Sequence, residues 1–107
     1  MIYPGRMFSD GVLDYDAFFD YGIGAMCWSK DDEGRRTLIF LAPTISGRRK
    51  WICSEIYTLT DGKDWKTPGP IKGWDGNLEA PTFSPSIWLL NRAGWHGYIE
   101  QGNLRTA

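Results

Sequence analysis

Short apolar bursts, broken at close intervals by clusters of Gly, Pro, Asp and Asn, run along most of this chain and predict strands joined by turns rather than long helices. Residues 23–29 read as a strand. A polar turn, KDDEG at 30–34, then leads into RTLIFLA at 36–42, whose β-branched and apolar run reads as a buried strand pairing with the first as a hairpin. In KWICSEIYTL, 50–59, both parities carry apolar side chains, which fits a strand covered on both faces or one containing a bulge. The stretch DYDAFFDY, 14–21, sets Phe18 and Phe19 among acids and predicts either one short helix stopped by Gly22 and Gly24 or a loop with aromatic plugs.

The second half is punctuated more heavily. Between 60 and 77 three turn signals, Asp61-Gly62, Pro68-Gly69-Pro70 and Asp75-Gly76-Asn77, predict one long connection of the kind that often carries contacts. Pro81 and Pro85 bracket PTFSP, an extended stretch that cannot donate from either proline and belongs at a sheet edge or between sheets. Residues 86–90 and 95–100 read as paired strands across the turn 91–94, and a tight turn at 101–103 leads to a terminal strand through Leu104. The expected fold is mainly β: one domain over 1–107, a sandwich or strongly bent antiparallel sheet of roughly five to seven short strands, with one short helix near 14–21.

Composition agrees with that picture and excludes several others. Thirteen glycines, six prolines and six tryptophans in 107 residues suit short strands with a few large anchors. No apolar run approaches the ~18 residues that span a bilayer, and the first ten residues lack the charged and apolar regions of a secretory signal, so an intracellular setting away from membranes is expected. Two cysteines, Cys27 and Cys53, are too few for a disulfide framework and are expected as reduced, buried thiols. The net charge of −1 conceals an acidic first third followed by Arg35, Arg36, Arg48, Arg49 and Lys50. These blocks can neutralise one another within the fold or across a homodimer.

The chemistry centres on His96, the single histidine. A metal site would have to join His96 to Cys27 and Cys53, all far apart in sequence and without a close CxxC or HxxxH pair, so neither a metal nor another cofactor is expected. Glycine-bearing turns match no phosphate-binding motif. As a general base, His96 could be oriented by Asp75 or Glu79 and could activate Ser84 or Ser86, giving a small hydrolase-like site, although no G-x-S-x-G elbow is present. Trp28, Trp51 and Trp88 lie on strand candidates and are expected in the core, whereas Trp65 and Trp74 fall in the long connection as exposed anchors. Basic residues beside these indoles suggest a nucleic-acid module, but a sequence pI near 5.7 argues against a dedicated one.

Gly73 to Ile87, GWDGNLEAPTFSPSI, followed by WHGYIEQG at 95–102, resembles a family of small proteins carried by phages and bacterial operons, whose members often bear the label ammonia monooxygenase. The resemblance rests on Pro85, Ser86 and Ile87, then His96, Tyr98, Ile99 and Gly102, with Gly24-Ala25-Met26 as an early element. Some relatives carry clustered cysteines suggestive of zinc, which this chain does not match, and one histidine is too few for an oxygen-activating copper or iron site. The resemblance implies a phage or mobile-element setting, in the cytoplasm of a bacterial host, with interference in host defence as one use. The leading expectation is therefore a non-catalytic binding protein with a protein partner. Its surface would combine Trp65, Trp74, Asp75, His96 and Tyr98, with Arg48 and Arg49 facing an acidic partner; the hydrolase using His96 and Asp75 is the alternative.

Overall fold

In the computed structural model, residues 1–8, 15–30, 36–44, 50–58, 71–84, 86–88 and 94–107 are described. They form β1 (Ile2–Tyr3), β2 (Arg6–Phe8), α1 (Tyr15–Tyr21), β3 (Ala25–Lys30), β4 (Arg36–Pro43), β5 (Trp51–Thr58), β6 (Ile71–Trp74), β7 (Phe83–Ser84), β8 (Ile87–Trp88), β9 (His96–Glu100) and β10 (Asn103–Thr106). Six strands make one sheet in the order β2-β3-β4-β5-β6-β7, and four make a second in the order β1-β10-β9-β8.

The apolar runs of β3 and β4 are explained by what lies on either side of them. Met26, Trp28, Leu38 and Phe40 face the four-stranded sheet and join Ile87, Trp95, Ile99 and Leu104 in the main core. Their neighbours of opposite parity, Ala25, Cys27 and Leu41, pack on the other face against Phe18 of α1. A central strand buried on both faces has no polar parity to display, so the alternation disappears from the sequence. β5 is covered more thinly, with Ile52 packed toward the main core and Trp51 and Cys53 toward the helix side, while Glu55 on that second face stays exposed. Cys27 is buried and Cys53 half-buried.

The mainly β expectation is met, and the short helix and the β3–β4 hairpin fall where the sequence put them. Gly22, at φ 80°, ends α1 in the left-handed conformation that glycine enters without a Cβ penalty. The strands outnumber the expected set because several are only two or three residues long. Residues 71–74, expected as part of one long connection, form β6 and pair in parallel with β5. A second parallel pair joins β2 to β3. The expected turns at 61–62 and 68–70, and most of those at 30–34 and 91–94, lie outside the described residues. Among the described residues, no helix is long and apolar enough to cross a membrane.

Candidate active site

β9 has the sequence HGYIE and alternates cleanly. Gly97 and Ile99 are buried against the core, while His96, Tyr98 and Glu100 are half-buried on the outer face of the four-stranded sheet. Gly97 has to be glycine, because a Cβ there would overlap the Trp95 indole and the Arg105 backbone oxygen. That indole is only 2% exposed, and its Nε1–H donates to Thr106 Oγ1 at 3.1 Å. The His96 carbonyl accepts the Ala107 N–H at 2.9 Å, and the residue stands opposite Trp88 of β8. The imidazole therefore projects from a backbone supported from below and on both sides.

Ser86 immediately precedes β8. Its neighbour Ile87 is fully buried opposite Gly97, so the two-residue period of a strand sends Ser86 to the outer face with His96. Ser86 Oγ lies 2.8 Å from His96 Nε2. In the tautomer with the proton on Nδ1, Nε2 accepts the hydroxyl hydrogen, which is the elementary unit of serine activation by a base.

The segment leading to Ser86 is fastened to the same hairpin. Gln101 N–H donates to Thr82 Oγ1 at 2.8 Å, and Gly102 N–H donates to the Pro81 carbonyl at 2.9 Å. Gln101 and Gly102 both have positive φ, 49° and 76°, as the two-residue turn between β9 and β10 requires. On the outer face, the Arg105 guanidinium covers the Tyr98 ring at 4.1 Å from its centroid. It also donates to both carboxylate oxygens of Glu100, at 2.7 and 3.3 Å. The hydrogen bonds from Arg105, supplemented by its charge, hold the Glu100 carboxyl below the usual carboxylate range, and Glu100 in turn raises Arg105. The Tyr98 ring also lies 6.4 Å from the imidazole, centroid to centroid.

The other sequence candidates are placed differently. Asp75 is exposed, and its Oδ1 accepts the backbone N–H of Asn77 at 3.0 Å and of Thr82 at 3.2 Å, holding the turn that enters β7. Glu79 is exposed in that turn, and among the described residues the hydroxyl that His96 engages is that of Ser86. Ser84 stands in β7 opposite Gly73. Trp74 is half-buried against Trp28, with ring centroids 4.9 Å apart and the Arg36 guanidinium over both indoles, so it belongs to the core margin rather than to an exposed anchor. Trp65, Arg48 and Arg49 lie outside the described residues. Cys27 packs beneath α1, on the far side of the six-stranded sheet from His96. Among the described residues, no group of three His, Cys, Asp or Glu side chains could hold a metal.

A family model described as "BubE: Bacterial ubiquitination-like system serine protease (BubE)" matches residues 24–107. The chain belongs to this BubE family. No curated protein and no solved structure matches the chain.

Two expectations are corrected by this match. The family is BubE rather than the ammonia-monooxygenase-labelled one that the C-terminal pattern resembles. The Pro-Ser-Ile and histidine elements that carried that resemblance are the ones that bring Ser86 against His96. The expectation of a non-catalytic binding protein gives way to a family described as serine proteases. The absence of a nucleophile elbow carries no weight against such a family, because that elbow belongs to one fold's strand-to-helix turn, whereas here Ser86 meets His96 across a strand pair.

Proposed function

We propose that this chain is a serine protease of a bacterial ubiquitination-like system, with Ser86 as nucleophile and His96 as general base. The observation that carries the reading is the 2.8 Å contact between Ser86 Oγ and His96 Nε2 on an outward face of the four-stranded sheet. Ser86 Oγ attacks the scissile carbonyl as its proton passes to Nε2. The protonated imidazole then donates to the departing amine, leaving an acyl group on Ser86, and the same nitrogen takes a proton from the water that hydrolyses the ester. The substrate is a protein of such a system, and the compartment is the bacterial cytoplasm. The Asp75 carboxylate serves the turn at 75–82 and is not needed in this scheme.

The test is labelling by a fluorophosphonate probe, read by mass spectrometry. A single adduct is expected on Ser86, absent in Ser86→Ala and reduced by at least about 10³-fold in rate in His96→Gln, in keeping with the loss of one member of a cooperating set. Both variants are expected to keep the wild-type melting temperature to within a few degrees. Equal labelling of wild type and Ser86→Ala would refute the assignment.

A further inference from the structure

The hydrogen-bond parity of the four-stranded sheet fixes which way the backbone at Ser86 points. The His96 carbonyl accepts the Ala107 N–H, in the same register that sets Tyr98 opposite Arg105. Backbone groups of an antiparallel strand turn to alternate sides, so on β9 those of His96, Tyr98 and Glu100 serve β10, and those of Gly97 and Ile99 turn toward β8. Gln101, next in that second series, sends its N–H to Thr82 on the β8 side, as the parity requires. Gly97 stands opposite Ile87, so these two exchange both N–H···O bonds. The N–H and carbonyl groups of Ser86 and of Trp88 therefore point away from β9.

β8 is the end strand of its sheet, and among the described residues nothing takes those outward groups. Two residues that present N–H and C=O side by side, with one residue between them, form a template for an added strand. The first of them, half-buried Ser86, also carries the hydroxyl that His96 Nε2 engages. One residue thus offers an incoming strand both an N–H and an oxygen nucleophile. A carbonyl oxygen that accepts the Ser86 N–H holds its carbon beside Oγ, and the same N–H bond strengthens as that oxygen gains charge on attack.

We infer that β8 takes an extended segment of the substrate as a further antiparallel strand, and that the segments cut are unstructured tails or linkers rather than folded loops. The inference rests on the Ser86–His96 assignment for the reaction, whereas strand addition can be read without it. The residue on the amino side of the scissile bond lies opposite Ser86, giving its N–H to the Ser86 carbonyl and taking the Ser86 N–H on its own carbonyl. The residue two before it makes the same exchange with Trp88, and the residue between them turns its N–H away from β8. The direction is antiparallel because only that pairing closes both bonds between the same two residues and so sets the scissile carbonyl against the residue that bears Oγ.

Two measurements decide it. The first compares a simple alkyl diphenylphosphonate with its trialanyl counterpart and with the three singly N-methylated forms of the latter, by rate of adduct formation on Ser86. The peptidyl probe should react at least about tenfold faster than the alkyl one, and N-methylation of the first or third residue from the phosphorus should remove most of that gain, while the middle position stays within about threefold. The second uses the ¹⁵N-labelled Ser86→Ala chain with acetyl-tetraalanine amide at millimolar concentration. The amides at 86 and at Trp88 should shift and gain protection from solvent exchange, while that of Ile87 is protected throughout. Equal tolerance of N-methylation at all three positions, sensitivity at the middle one alone, or unchanged amides at 86 and 88 overturns strand addition and leaves the Ser86–His96 assignment standing. If no probe labels Ser86, that assignment falls, and the amide shifts alone decide whether β8 takes a strand.

Discussion

The two sheets divide the work of this molecule between them, and the division shows in what their faces meet. The central strands of the six-stranded sheet are covered on one side by the main core and on the other by Phe18 of α1. Leu38, Phe40, Leu41 and Ala42 of β4 have no exposed surface at all. Among the described residues, the four-stranded sheet buries one face, through Ile87, Ile99 and Leu104, and carries the half-buried His96, Tyr98, Glu100 and Arg105 on the other. Its strands are two to five residues long, too short to fix the Ser86–His96 contact by ladder bonds alone. The site is held instead by specific fastenings: Trp95 beneath Gly97, and Thr82 on Gln101.

This contrast can be broken in three ways, in descending order of expected effect. Leu41→Ala, on the helix side of the doubly covered sheet, should cost about 2–5 kcal/mol of stability, read by chemical denaturation, while the fraction still folded labels at the wild-type rate. A fall in labelling per folded molecule would mean that the six-stranded sheet shapes the site directly. Gly97→Ala should cost about 1–3 kcal/mol by overpacking against Trp95, and it should slow labelling more than its stability loss explains, because the residue displaced is the neighbour of His96. Wild-type labelling in that variant would show that the indole does not fix the base.

The smallest effect concerns the Glu100–Arg105 pair. Its folded-state carboxyl lies below the ordinary value, so its contribution is present at neutral pH and disappears as pH falls through that depressed value. The melting temperature of Glu100→Gln should therefore lie slightly below wild type near neutrality and converge with it in strong acid. A gap that persists into acid would assign the loss to packing rather than to charge. High salt should narrow the neutral-pH gap as well, because both side chains are more than 40% exposed.

What the sequence disclosed and what it hid follow the same division. β3, β4 and β5 were legible because each is six or eight residues of apolar chain between polar breaks. β1, β2 and β6 were not, since two to four residues cannot establish a period, and the parallel pairings β2–β3 and β5–β6 depend on contacts that no local pattern encodes. In the site, His96 stood out as the single histidine, and Ser84 and Ser86 were both visible as hydroxyls. The choice between them required the register: Ile87 opposite Gly97 puts Ser86 on the same face as His96. Trp74 was misjudged as an exposed anchor because β6 was hidden, and with it the packing of that indole on Trp28. Nothing local in the sequence marks Trp95, yet its indole is what the strand bearing His96 rests on.

The bonds at Pro81 and Thr82 have a mechanical consequence. The segment from Pro81 to Trp88 is joined to the β9–β10 hairpin at one end through Gln101 and Gly102, and at the other through the pairing of Ile87 and Trp88 with Gly97 and His96. Ser86 and His96 thus belong to a closed frame with two cross-bars, rather than to separate arms that meet at their tips. When the sheets breathe against one another, such a frame translates as a unit, and the distance between Oγ and Nε2 is the last dimension to change.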